Sequence, residues 1–228
     1  METEIAMRRL LIVIGFILVW FLQGNESGAA TYKLEKTTSA AEGVSSALGS
    51  TLQSDGYRVL DDTGKVLCEI WTRKEIANPN KPAAAGAKYQ SLHMGAMVGA
   101  IKFPAEITDY RGQPIKAGTY TLRYAVIPQD GNHMGVSPIL DFLLLIPASE
   151  DNKDPDAEMA FNDVVALSRK ATGTNHPANL LMSLPPDSIK EPALEKDEMN
   201  HWVLKLRVPQ KPSGELLLGI VVVGQYEG

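Results

Sequence analysis

The sequence predicts a mainly β protein: an antiparallel β-sandwich, immunoglobulin- or transthyretin-like in general architecture, with one accessory α-helix and an N-terminal signal helix ahead of it. Three observations predict this. Short apolar runs bounded by Gly, Pro, Asn and Asp recur along the chain at sandwich-like spacing. In the clearest of them, Thr119 to Ile127, the residues Tyr120, Leu122, Tyr124 and Val126 alternate with Thr121, Arg123 and Ala125, which is the period of two of a strand. A single stretch of helical period, between Asp154 and Gly173, interrupts the strands.

Composition agrees with one folded domain. Of 228 residues, 44% are hydrophobic and 21% charged, enough apolar surface to bury a core without disulfides. The formal net charge of -5 provides no basic field for a phosphate backbone, which argues against nucleic acid as a partner.

The first thirty residues differ in kind from the rest. Arg8 and Arg9 precede Leu10 to Leu22, thirteen residues without a charge, followed by a polar stretch and the small residues Gly28, Ala29 and Ala30. That is the order of a secretory signal, with cleavage after Ala29 or Ala30, and the apolar run is short for a bilayer span of about 20 residues. The organisation read from this is a signal peptide over 1–30, a flexible Ser/Thr/Ala/Gly-rich linker over 31–54, and one sandwich domain over 55–228. The protein is then exported, periplasmic or extracellular, and touches a membrane only through the signal segment if that stays uncleaved. Cys68, the one cysteine, lies in the apolar run VLCEIW and reads as a buried, inert thiol.

Within the domain, Tyr57–Leu60 and Lys65–Arg73 flank Asp61-Asp62-Thr63-Gly64, a hairpin turn. Ala77–Ser91, with Pro79 and Pro82, reads as an exposed loop. Met97–Phe103 is a strand, and the uniformly apolar Asp141–Ile146 suits a strand covered on both faces. Asp154-Pro155-Asp156 carries the signals of a helix start, and Ala157, Phe161, Val164, Val165 and Ser168 form one face of a helix running to Gly173 across a sheet edge or one end of the sandwich. Asn175–Lys196 is a long connection. Trp202, Leu204, Leu206 and Val208 alternate again, and Glu215–Tyr226 is the last strand.

The segment FPAEITDYRGQPIKAGTYTLRY, centred on Lys116-Ala117-Gly118-Thr119-Tyr120-Thr121-Leu122, resembles exported bacterial β-sandwich domains of unknown function, in which a Gly-x-x-(Ile/Leu)-x-Ala-Gly-x-Tyr turn feeds a central strand. GNHMGVSPILDFLLLIPA looks like a member of a smaller group of uncharacterised secreted proteins. The resemblance covers about a fifth of the mature chain. It implies fold and export and brings no catalytic residues.

Signatures of common chemistries are missing: there is no Gly-x-Ser-x-Gly, His-Glu-x-x-His, phosphate loop or dinucleotide fingerprint. The histidines offer two metal models. His93-Met94 and His133-Met134, with Met97 near the first, supply the imidazole and thioether ligands that suit copper. His133, His176 and His201, each preceded by asparagine, would make a three-imidazole zinc site with Asp130 or Asp141 behind a ring. The same Asn-His pairs read more simply as turn chemistry. Among aromatic residues, Tyr120, Tyr124 and Trp202 fall on core faces, Tyr110 is a candidate for a carbohydrate platform, and Trp71 is the candidate for exposure. The function expected is that of a non-enzymatic exported protein binding an unidentified ligand or envelope partner. The alternatives are a copper or zinc protein and a zinc-dependent hydrolase.

Overall fold

The computed structural model of the protein describes residues 30–128 and 139–224. Residues 1–29, where a signal segment is expected, and residues 129–138, with Asp130, His133 and Met134, lie outside the described residues. The described residues from Tyr32 onward form one compact unit, mainly β as the alternation predicts.

In chain order the strands are β1 (Tyr32–Thr37), β2 (Gly56–Asp61), β3 (Val66–Thr72), β4 (Ile76–Ala77), β5 (Met97–Phe103), β6 (Ile107–Thr108), β7 (Pro114–Ile115), β8 (Gly118–Val126), β9 (Asp141–Pro147), β10 (Asn179–Leu181), β11 (Ala193–Lys196), β12 (Trp202–Lys211) and β13 (Glu215–Val223). The helices are the short α1 (Ser46–Gly49) and α2 (Phe161–Thr172). One sheet runs β1-β2-β3-β5-β8-β9-β10, antiparallel throughout. The other runs β11-β12-β13, with β4 added parallel to β12. A bridge between Met182 and Ile220 joins the two sheets along one side.

The main core lies between the sheets. Leu122, Tyr124 and Leu143 of one face Leu204, Leu206 and Leu218 of the other. Each fully buried side chain of this size stabilises the fold by about 1.5–3 kcal/mol. Tyr89 ties the layers with polar bonds as well: its hydroxyl donates to the Ser183 carbonyl (3.0 Å) and accepts the Gly219 N–H (2.9 Å). Glycine at 219 lets the chains come that close, since a Cβ there would overlap the Ser183 hydroxyl. Tyr89 is buried, so the 77–91 segment read as an exposed loop is anchored in the core through it.

The larger sheet is covered on its second face too. α2 packs Val164 and Val165 on Phe142, Leu144 and Ile146 of β9, so the apolar run of β9 is buried on both sides as expected. The helix therefore lies on a sheet face rather than across an edge or an end. Leu48 and Leu52 cover Trp71, Met97 and Ala100 further along that face. This corrects the reading of 31–54 as a flexible linker. Residues 32–37 pair with β2 over six registered positions, and the α1 region buries apolar side chains that a linker would leave in water. Trp71, expected to be exposed, is buried for the same reason, and its indole N–H donates to the Ser39 carbonyl (2.7 Å).

The helix begins six residues later than Asp154-Pro155-Asp156 predicts. Those residues instead form an Asx turn, in which the Asp154 carboxylate accepts the Asp156 N–H (2.8 Å). Their backbone is then taken by a neighbouring segment: Met97 N–H donates to the Pro155 carbonyl (2.9 Å) and Met159 N–H to the Met94 carbonyl (3.0 Å). Tertiary hydrogen bonds have displaced the helical ones. The end is as read, with Gly173 left-handed at φ 67°. Trp202 also departs from expectation: the register shifts between it and Val203, and it stands half-buried with its ring against Tyr32 at 5.4 Å.

Candidate functional site

Four carboxylates that look available in the sequence are committed to the fold. Asp141 is buried and accepts the Lys88 N–H, the Tyr89 N–H and the Tyr124 hydroxyl (2.6 Å). Asp151 is buried against Arg123, and its second donor is the Thr121 hydroxyl (2.5 Å). Asp197 caps a tight turn by accepting the Met199 and His201 N–H groups (2.9 and 2.8 Å). Asp109 does the same for Arg111 and Gln113 (3.0 and 2.9 Å). Asp141, Asp197 and Asp109 satisfy backbone N–H groups, and Asp151 answers the buried Arg123 charge.

The Asp109 turn builds one wall of a cleft. It closes the β6–β7 hairpin, where Gly112 takes φ 78°, and presents Tyr110 and Arg111. Gln113 links this hairpin to the segment after α2. Its amide N–H donates to Asp109 (2.9 Å) and to the Pro177 carbonyl (3.3 Å), and its oxygen accepts the Thr174 hydroxyl (3.1 Å). Thr174 in turn accepts the His176 N–H (3.1 Å), and the Thr172 hydroxyl donates to the His176 carbonyl (2.8 Å). Ser168 of α2 holds the start of β10 through the Ala178 carbonyl (2.9 Å). Hairpin, helix and β10 are thus fixed to one another by side-chain hydrogen bonds.

Between them is a cavity of about 540 Å3. Its floor is apolar: Tyr110, Phe142, Phe161, Val165 and Leu181 line it. Arg111, Arg169 and His176 stand around it with the amides of Asn162, Asn175 and Asn179, and none of these side chains makes a hydrogen bond or ion pair within the described residues. An apolar floor with a few converging polar groups is the usual form of a small-molecule site. A second groove, of about 610 Å3, runs past Met182 and Val203 and includes Leu184 (61% exposed) and Met199 (51%), the two large apolar side chains most open to solvent among the described residues. Its charges are mixed, Lys88 and Lys205 beside Glu195 and Glu198.

The chain matches no family model, no curated protein and no solved structure with which it was compared. The likeness of the Lys116–Leu122 motif to exported sandwich domains rests on those residues alone. The structure does give the motif a physical reason: the Tyr120 hydroxyl reaches back to the Lys116 carbonyl (2.7 Å), a tyrosine corner at the entry to β8.

The histidines are spread out. The His93 Nε2 N–H donates to the Asp156 carbonyl (3.0 Å), and its Nδ1 is buried without a partner among the described residues. His93 and Met94 line a cavity of about 260 Å3, while Met97 packs elsewhere, under Leu48 and Leu52. His201 is buried in its turn, with Nδ1 3.2 Å from Asp197 and its ring against Tyr110 at 5.4 Å. Asn200 before it is left-handed at φ 64°, which is the turn chemistry that Asn-His suggests. His176 is exposed at the cleft. No three His, Cys, Asp or Glu side chains among the described residues come together as a metal site. Both metal models turn on His133, outside the described residues. Asp141, considered as a second-sphere partner for zinc, spends its oxygens on the Lys88–Tyr89 backbone and on Tyr124.

Sequence reasoning missed Arg111, Arg169, Asn162 and Asn179, and read Asn175 only as turn chemistry. They come from separate segments of the chain, and only folding brings them to one cleft. Of the aromatic candidates, Tyr120 and Tyr124 are in the core and Tyr110 lines the cleft floor.

Proposed function

We propose that this chain is a non-enzymatic binding protein, exported to the periplasm or beyond, and that the cleft between the β6–β7 hairpin, α2 and β10 is where it takes a small-molecule ligand. One observation carries the reading: an apolar floor ringed by six polar side chains that have no hydrogen-bond or ion-pair partner among the described residues. Groups left open in this way cost little in water and contribute when a ligand fills the space. The hydrogen-bonded walls support it further, because a cleft that is already formed loses less freedom on binding. The buried carboxylates favour binding over catalysis, since each is saturated with structural donors. Export rests on the order Arg8-Arg9, Leu10–Leu22, Ala29-Ala30 in the sequence.

The test is a titration of protein from cells expressing the full chain with the neutral probe N-phenyl-1-naphthylamine, followed by fluorescence. One saturable site is expected, lost in Phe161→Glu while the melting temperature stays unchanged. Failure to saturate, or equal binding by Phe161→Glu, contradicts the proposal.

A metal-binding role is the second reading, favoured by the unpartnered Nδ1 of His93. It takes copper through His93, Met94, His133 and Met134, or zinc through His133, His176 and His201. Elemental analysis after dialysis against each metal tests it: a stoichiometric metal lost in His133→Ala supports it, and a metal-free protein retires both models.

A further inference from the structure

We infer that the cleft selects an anionic amphiphile: a small molecule with an apolar aromatic or aliphatic body and one carboxylate, sulfonate or phosphate. This rests on the cleft being a ligand site and adds the chemistry of what it takes.

The argument comes from where arginine charge is neutralised and where it is not. Six arginines lie among the described residues. Four have an acid: Arg58 with Glu69, Arg73 with Asp156, Arg123 with Asp151 and Arg207 with Glu215. The remaining two, Arg111 and Arg169, have none among the described residues, and both line this cleft. No Asp or Glu among the described residues lines it, although the chain holds 27 acids against 22 bases. The second groove differs on this point, with three acidic residues, Glu195, Asp197 and Glu198, along it.

Placement reinforces the charge. Arg111 lies within the turn, and its own backbone N–H is held by Asp109, so its Cα position is fixed by the fold. Arg169 is in the last turn of α2, separated from Arg111 in sequence by β7, β8 and β9, and lines the same space. Guanidinium groups present planar, paired donors that fit the oxygens of a carboxylate, sulfonate or phosphate, and they remain charged at any physiological pH. The imidazole of His176 and the amides of Asn162, Asn175 and Asn179 add further polar groups. Phe142, Phe161, Val165 and Leu181 take the apolar body. Both arginines are solvent-exposed, so a purely apolar ligand would make no use of their charge, and a cation would be repelled.

Two fluorescent probes with the same aromatic rings separate charge from apolar contact. 1-Anilinonaphthalene-8-sulfonate carries the anion and N-phenyl-1-naphthylamine lacks it. The full-length protein is expected to bind the sulfonate about tenfold more tightly. The double variant Arg111→Gln/Arg169→Gln is expected to weaken the sulfonate until the two affinities are level. Raising salt should weaken only the sulfonate. Displacement by decanoate and by decyl phosphate, with decanol as control, then tells which head group is preferred. Equal affinity for both probes, unaffected by the double variant, overturns the anion inference and leaves the apolar site standing. Failure of both probes to saturate overturns the site itself.

Discussion

Arg123 and Asp151 form an ion pair with neither side chain exposed to solvent. Arg123 Nε and Nη2 both donate to the carboxylate (2.8 and 2.9 Å), and the guanidinium spends its other donors on the carbonyls of Gly95, Lys153 and Asp154 (2.7, 3.0 and 3.2 Å). The pair sits on the outward face of β8, in the positions that alternation marks as polar, and the 151–154 segment folds over it. Breaking one partner of such a pair leaves a buried charge uncompensated, at a cost of about 3–5 kcal/mol. Asp151→Ala is expected to lose that much in urea unfolding, and a loss under about 1 kcal/mol would mean that water reaches Arg123.

Asp156 predicts how stability responds to acid. Burial alone would raise its carboxyl, but the Arg73 guanidinium, at 2.6 Å, more than reverses this and holds it below the ordinary 3.8. A carboxyl depressed in the fold contributes stability above its unfolded value, and that contribution disappears as pH falls through the folded value. The melting temperature should therefore drop as pH falls below about 4. Asp156→Asn should start lower at neutral pH and show a shallower acid decline. Parallel curves for the two proteins would remove Arg73–Asp156 from the account.

Cys68 is buried in β3, opposite Val59 of β2, and burial pushes its thiol up to about 12. Since the thiolate is the reactive form, labelling by iodoacetamide at pH 8 should be at least about a hundredfold slower in native protein than in urea. Comparable rates would place the thiol at the surface.

Export predicts a processed N-terminus. Protein recovered from the periplasm or medium of an expressing bacterium should begin at Ala30 or Thr31 when sequenced from its N-terminus. Intact Met1 on protein in the cytoplasmic fraction would contradict it.

The strands were legible because burial on two sheets imposes a period of two, which survives in β8 and β12, and because β9 is apolar throughout for lying under both the second sheet and α2. What was hidden depended on contacts from far along the chain. The 32–53 segment has a linker's composition, yet Leu48 and Leu52 find Trp71 and Met97 to cover. The cap signals at Asp154 are real, but Met94 and Met97 claim that backbone first. The cleft was the least visible, since an arginine with no acid beside it looks in sequence like any other arginine. Only after Arg58, Arg73, Arg123 and Arg207 have found their partners do Arg111 and Arg169 stand out.

The central claim, that the cleft beside α2 is the ligand site, is tested most directly by mapping where a bound probe sits. Backbone amide shifts of isotopically labelled protein would be recorded as 1-anilinonaphthalene-8-sulfonate is added. Changes concentrated at Tyr110, Arg111, Val165, Arg169, Asn179 and Leu181 are the result this account predicts. Changes centred on Leu184 and Met199, or spread evenly over the surface, would contradict it.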